Sequence, residues 1–327
     1  MDYRTVGSTG VQVSPLCFGT MSFGAEADEE TSAAMYRRVR ELGINFFDTA
    51  NVYSGGRSEE ILGKLAAGER DDLVITSKVG FPMGADPNTQ GLSRRHIMQS
   101  VEASLARLGT DRIDFYFVHT FDERTPIEQT LHALDDLQQQ GKILYPAVSN
   151  WAAWQIATAL GVAAREGLAR FELIQPMYNL VKRQAEVELL PLAQGENLGV
   201  ITYSPLGGGL LTGKYRAGQQ PAGGRLVENA RYTDRYGAES DRVTAERFAA
   251  FADDAGVSPV ALAVAWAMGH PGVTAPIVGA RNVEQLEGSL AALEIDMTAE
   301  IRDQISALSP TPPPATDRAE VLTGKWG

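Results

Sequence analysis

Eight short apolar runs, each followed by a stretch of helical periodicity, constrain this chain more than any other feature. The runs cover residues 16–19, 44–48, 73–77, 113–119, 143–148, 173–175, 200–203 and 273–278. Near-continuous apolarity suits strands buried on both faces, as in a parallel sheet. Between them, residues 29–42 place Ala33, Tyr36, Val39 and Leu42 on one helical face. Residues 93–108 do the same with Ile97, Val101, Leu105 and Leu108, and Gly109 then stops the helix. Residues 58–66 read as a helix capped by Ser58. Thr125-Pro126-Ile127-Glu128 reads as a capping box with proline at the first helical position. Residues 152–166, 186–194, 242–255 and 282–290 supply four more helical stretches.

Strand–helix alternation repeated eight times predicts an α/β fold, the (β/α)8 TIM barrel. A doubly wound sheet is the competitor. Residues 19–24 lack the G-x-G-x-x-G spacing that a dinucleotide-binding turn would carry after the first strand. Three pieces fall outside the repeat. Residues 2–13, centred on Gly7-Ser8-Thr9-Gly10, predict a β-hairpin plugging the barrel floor. Residues 207–241 read as a long loop, rich in Gly and Arg, after the seventh run. A Pro-rich C-terminal tail from Pro310 is expected to wind over the surface. The 327 residues suit one barrel domain spanning 1–327.

Composition narrows the function classes. A net charge of −12 disfavours nucleic acid and anionic membranes as partners, because both need Lys and Arg to replace counterions. The single cysteine, Cys17, allows no internal disulfide, so a reducing cytoplasm is the natural location. Met1-Asp2-Tyr3-Arg4 is followed by no apolar run, so no signal peptide is expected. The apolar stretch 261–268 is too short to span a bilayer and reads as a buried helix. His96, His119, His132 and His270 show no H-x-H or H-E-x-x-H spacing, so no metal site is expected.

In a barrel, chemistry belongs at the C-terminal strand ends and the loops that follow. Asp48 closes the second run, with Tyr53 in the loop beyond; Lys78 follows the third, and His119 closes the fourth. Singly, each has a plain structural use: Asp48 as a cap, Lys78 as a solvated strand end, Tyr53 as packing, His119 as a satisfied core histidine. The fold brings these strand ends around one mouth, which makes them a group. A phenol with its ordinary pKa near 10 is a poor acid at neutral pH. A nearby ammonium favours the phenolate, and a buried carboxylate keeps that ammonium charged. An imidazole can hydrogen-bond a carbonyl. Such a set donates a proton to an oxygen becoming an alkoxide, and the matching hydride must come from a nicotinamide cofactor. The same residues allow a Schiff-base aldolase on Lys78, which needs that lysine neutral beside Asp48.

The segment Asn45-Phe46-Phe47-Asp48-Thr49-Ala50-Asn51-Val52-Tyr53, with Ser58-Glu59 following, resembles the signature of the aldo-keto reductases. Ile75-Thr76-Ser77-Lys78, Val118-His119, Val148-Ser149-Asn150, Tyr203-Ser204-Pro205-Leu206 and Pro276-Ile277-Val278-Gly279-Ala280-Arg281 resemble further segments of that family, in order. The resemblance implies Tyr53 as general acid in reduction and base in oxidation. It implies that Lys78 and Asp48 tune Tyr53, and that His119 orients the carbonyl. It implies a nicotinamide held at its carboxamide by Ser149, Asn150 and Gln175, with Tyr203 stacked on the ring. The pyrophosphate would lie along Ser204, Leu206 and Gly208, with Lys214 and Arg225 closing over it. The adenosine end would meet Gly279, Arg281, Gln285 and Ser289. With Arg281 as the main cation, NADP(H) is favoured and NAD(H) is the alternative. Two departures stand out. Pro146-Ala147 replaces the usual glycine before Val-Ser-Asn, and Gln285 and Ser289 stand where many members carry Arg and Asn.

Met21, Phe23, Phe81, Met83, Phe121 and Trp151 follow strand ends and predict an apolar rim, with Trp326 reaching over from the tail. Such a rim suits aromatic or aliphatic aldehydes and ketones. The expected activity is NADP(H)-dependent reduction of these carbonyls. The alternatives are an NAD(P)-dependent aldose or alcohol dehydrogenase, and a binding role like that of potassium channel β subunits.

Overall fold

The computed structural model of the chain describes residues 1–215, 223–318 and 320, and only the backbone of Arg225. Strands β1 (Arg4–Thr5) and β2 (Gln12–Val13) pair antiparallel, with Arg4 opposite Val13. The eight apolar runs become β3 (Cys17–Gly19), β4 (Phe46–Asp48), β5 (Val74–Val79), β6 (Ile113–Val118), β7 (Ile143–Ser149), β8 (Leu173–Gln175), β9 (Gly199–Thr202) and β10 (Ala275–Val278). Neighbours are parallel, and β10 pairs with both β3 and β9, which closes the ring. The fold is therefore a TIM barrel, and the doubly wound alternative is excluded.

Strand alternation divides each run between two cores. Cys17, Phe46, Val74, Phe115, Phe117, Ala147, Leu173, Ile201 and Ala275 form the barrel interior, joined there by Val6 and Val13 of the hairpin. The hairpin thus plugs the barrel. A Cβ at Gly199 would overlap Val6, so only glycine lets the plug approach. Arg4 fastens it by donating to the carbonyls of Met268, Val273 and Thr274 at 3.1–3.2 Å. The alternate residues, among them Phe18, Phe47, Ile75, Tyr116, Val148 and Ile174, face the helices. Each such side chain contributes about 1.5–3 kcal/mol by leaving water.

The helical layer comprises α1 (Glu29–Glu41), α2 (Arg57–Ala66), α3 (Arg94–Leu108), α4 (Ile127–Gln139), α5 (Ala153–Glu166), α6 (Leu189–Gly195), α7 (Arg225–Glu228), α8 (Ala230–Tyr236), α9 (Glu239–Asp254), α10 (Pro259–Met268), α11 (Val283–Leu290) and α12 (Ala299–Ser306). Several local expectations are corrected. The capping box at Thr125 does not form. Pro126 is the N-cap of α4, and the Thr125 hydroxyl donates to Asp122 instead, at 2.8 Å. Ser58 is not a cap either. Its hydroxyl is buried between Thr20 and Thr49. Residues 207–241 are largely helical where described: a 3-10 turn at Gly207–Thr212, then α7, α8 and the start of α9. Burial of Tyr236 pins α8 down. Pro146 does not interrupt β7. It has no N–H to give, but its carbonyl accepts from the Glu172 amide at 3.0 Å.

Residues 310–314 of the tail have no regular structure, and Trp326 lies outside the described residues. Among the described residues, no single helix is long and apolar enough to cross a membrane.

Candidate active site

The C-terminal ends of β4 to β9 converge, and side chains meet there that are far apart in sequence. Lys78 Nζ lies 2.7 and 2.6 Å from the two Asp48 oxygens, 2.7 Å from the Thr49 carbonyl and 3.4 Å from the Tyr53 hydroxyl. Lys78 is fully buried and Asp48 nearly so. Tyr53 reaches this spot because the chain turns sharply after β4. Ser54 adopts the left-handed region, at φ 50°, and donates to the Phe23 carbonyl at 2.8 Å. A non-glycine residue in that region is strained and needs such support. The His119 ring lies edge-on to Tyr53, with centroids 6.0 Å apart, and edge-on to Phe81 at 4.6 Å.

Burial pushes the Tyr53 phenol above its ordinary value; the Lys78 ammonium pulls it back and Asp48 pushes it up again. The expected downward pull of Lys78 is present, but desolvation outweighs it. Burial lowers Lys78, yet the Asp48 carboxylate and the phenol more than compensate, so the ammonium persists. A persistent ammonium is the wrong state for a Schiff-base nucleophile. Burial, aided by Lys78, pushes His119 well below 6.5, so its imidazole is neutral. Its Nδ1 is buried and has no hydrogen-bond partner among the described residues.

A pH dependence follows from these two directions. To act as an acid, Tyr53 needs its phenol protonated, a state lost only as pH rises through a value above 10. The neutral imidazole is lost only as pH falls through a value below 6.5. The rate of a proton transfer from Tyr53 is therefore expected to be flat between those limits. A limb near pH 7 to 8 in a kcat profile would contradict the assignment.

Beside the tetrad, Ser149 donates to the Gln175 carbonyl at 2.9 Å, and Asn150 Nδ2 donates to the His119 carbonyl at 2.9 Å. Asn150 is left-handed at φ 59°, and its Oδ1 accepts from the Tyr203 hydroxyl at 2.8 Å. Gln175 Nε2 donates to Asp48 at 2.8 Å. These hydroxyl and amide groups form one hydrogen-bonded set tied to Asp48 and the His119 carbonyl, and their donor and acceptor chemistry fits a primary carboxamide. Beyond β9, Ser204 and Gly208 are both left-handed, at φ 59° and 66°, and Leu206 opens the Gly-rich turn between them. A Cβ on Gly208 would lie 2.8 Å from Tyr232 and 3.1 Å from Tyr236, so α8 packs directly on this turn. The glycine turn carries no Cβ of its own over its backbone amides, which suits a phosphate, but the rings of Tyr232 and Tyr236 lie against it at Gly208. The Lys214 ammonium lies over the Tyr215 ring at 5.1 Å, and the Arg225 side chain lies outside the described residues. At the expected adenosine end, Gly279 packs against the Gly19 carbonyl, Ser289 is buried, and Gln285 accepts from the Arg281 amide at 3.2 Å. Arg281 itself lies 3.5 Å from Glu228 and 3.9 Å from Glu26. Among the described residues no cluster of His, Cys, Asp and Glu could hold a metal ion.

The sequence profile described as "Aldo/keto reductase family" matches residues 15–310. The chain belongs to this family. This aldo/keto reductase is 37% identical over 331 residues to the uncharacterized oxidoreductase YrpG of Bacillus subtilis, across 98% of this chain and 99% of that one. It is 36% identical to a probable voltage-gated potassium channel subunit beta of Oryza sativa, across 97% and 99% of the two chains. It is 32% identical to versiconal hemiacetal acetate reductase of Aspergillus parasiticus, across 92% and 94%.

The apolar rim of this aldo/keto reductase is smaller than expected. Phe81 packs on His119, Met83 is half-buried and Met21 is exposed. Phe23 and Trp151 are buried rather than exposed on the rim. Phe23 is fully buried edge-on to Phe18, and Trp151 is buried between Phe121 and Phe171. Both have turned into the layer between barrel and helices, and half-buried Phe121 follows Trp151 there. Hydrophobicity alone does not say which way a loop side chain turns. Other contributors went unnoticed in the sequence. Thr49 and Thr76 lie within the family-like segments with no role attached to them, and Glu228 and Tyr232 had no motif to mark them. Thr76 alone carried a signal, since it shares a strand face with Lys78 two residues on.

Proposed function

We propose that this aldo/keto reductase reduces aldehydes or ketones to alcohols with NADP(H), Tyr53 donating the proton. The observation that carries the reading is the contact of Tyr53, Lys78 and Asp48 beside a neutral His119. Bound NADPH would supply the hydride to the carbonyl carbon. Tyr53 gives its proton to the carbonyl oxygen and regains one from solvent. Lys78 stabilises the phenolate left behind, Asp48 holds Lys78 charged, and His119 hydrogen-bonds the carbonyl oxygen. Ser149, Asn150 and Gln175 would hold the carboxamide, and Tyr203 would stack on the ring. The same site run in reverse oxidises an alcohol. Relatives named as channel β subunits make a binding role the second reading. A complete proton-donating set supports turnover over binding alone. With one buried thiol, Cys17, the protein suits a reducing cytoplasm. The test is a screen of aromatic aldehydes, sugars, pyridoxal and steroid ketones, following NADPH consumption. No turnover across the panel, with tight NADPH binding retained, would favour the binding role.

Cofactor preference turns on Arg281. Glu228 and Glu26 share its charge, so a 2′-phosphate must compete with carboxylates. Arg281→Ala is expected to lower kcat/KM for NADPH about 10- to 100-fold, the worth of one charged hydrogen-bond partner, and to spare NADH. Glu228→Gln is expected to shift the NADPH/NADH ratio the other way. An unchanged ratio in both variants removes Arg281 from the 2′-phosphate site.

A further inference from the structure

Asp48 carries more hydrogen bonds than its pairing with Lys78 requires. Its Oδ1 also accepts from Thr76 Oγ1 at 2.7 Å and from Gln175 Nε2 at 2.8 Å. A carboxylate only accepts, so both neutral partners must present donors. Thr76 lies directly opposite Asp48 in the β4–β5 register and is fully buried.

We propose that Thr76 is a positioning residue for the proton transfer: its hydroxyl, with the Gln175 amide, pins the Asp48 carboxylate so that Lys78 is held at Tyr53. The inference rests on the general-acid reading of Tyr53. Lys78 has three N–H groups and four acceptors in reach: both Asp48 oxygens, the Thr49 carbonyl and the Tyr53 hydroxyl. The contact with Tyr53, at 3.4 Å, is the longest of the four. A carboxylate free to tilt changes how much of the ammonium the phenol meets. Loss of a neutral donor also leaves more negative charge on Oδ1. Both changes disfavour the phenolate. Gln175 makes the second of these bonds from the proposed carboxamide pocket, so the cofactor site and the proton donor share one carboxylate.

The other titratable groups facing this cluster are Cys17 on β3, His119 after β6, Tyr203 after β9 and Tyr232 on α8. Burial keeps Cys17 and Tyr203 protonated and His119 unprotonated at neutral pH. The Asp48–Lys78 pair is then the charge that bears on Tyr53.

Thr76→Val keeps the shape and removes the hydroxyl. Initial rates of oxidation of an aromatic alcohol with NADP+ would be followed in the full-length protein from about pH 7 to 11. The rising limb is expected to move alkaline by about half to one unit, which reads as a rate ~3- to 10-fold lower at fixed pH. NADPH affinity, read by fluorescence, should stay within about twofold, and Thr76→Ser should restore the profile. Should the valine variant fail to fold, Thr76→Ala is read in the same way. An unmoved limb, or a serine variant no better than valine, overturns the proposal. If Tyr53→Phe is inactive while Thr76→Val matches the wild type, only this inference fails. An active Tyr53→Phe removes the general-acid reading itself.

Discussion

Tyr53→Phe is expected to cut carbonyl reduction by about 10²- to 10⁴-fold, the usual contribution of a positioned general acid. The ring would remain, with its edge against His119, so the mouth keeps its shape. Among the described residues the hydroxyl makes one hydrogen bond, the long one from Lys78, so folding should change little. Cofactor binding should hold as well, because none of the residues proposed to touch the carboxamide bonds to Tyr53. Single-turnover rates and a cofactor titration on the same preparation separate these effects. A loss confined to binding, with the chemical step intact, would remove Tyr53 from the proton transfer.

Lys78→Met should be the most damaging single change to stability in the site. Lys78 is fully buried, and its side chain and that of Asp48 exclude water from one another. Removal of one partner leaves a buried carboxylate facing an apolar side chain, which typically costs about 3–5 kcal/mol. The neutral donors Thr76 and Gln175 offset part of that cost. Urea unfolding at pH 7 measures the loss. The orphaned Asp48 would take up a proton more readily folded than unfolded. The deficit should therefore shrink as pH falls and deepen as pH rises. Asp48→Asn combined with Lys78→Met removes both charges and should recover much of the stability while activity stays low. If the single and double variants unfold together at every pH, the pair does not carry the stability assigned to it.

Much of the barrel was legible because parallel strands buried on both faces need unbroken apolar runs, and this chain has eight. The hairpin was legible from Gly7 to Gly10, where the turn chemistry is local. Helix starts were less so. Thr125-Pro126-Ile127-Glu128 has the residues of a capping box, but the Asp122 carboxylate competes for the Thr125 hydroxyl and wins. Residues 207–241 read as loop because Gly and Arg dominate them. They are helical in large part because Tyr236 finds a buried seat against Asn179. No local pattern announces a seat provided by a distant residue.

The same division holds for the chemistry. The sequence by itself determined the order of strands, the presence of a carboxylate, a phenol, an ammonium and an imidazole at successive strand ends, and the family. These depend on residue type and spacing, which are written locally. Only the tertiary structure decided that burial leaves the phenol above its ordinary value, that Trp151 and Phe23 are buried, that Glu228 meets Arg281, and that Thr76 and Gln175 close on Asp48. Desolvation, side-chain direction and hydrogen-bond competition are sums over neighbours far apart in the chain, and those neighbours exist only once the barrel has closed.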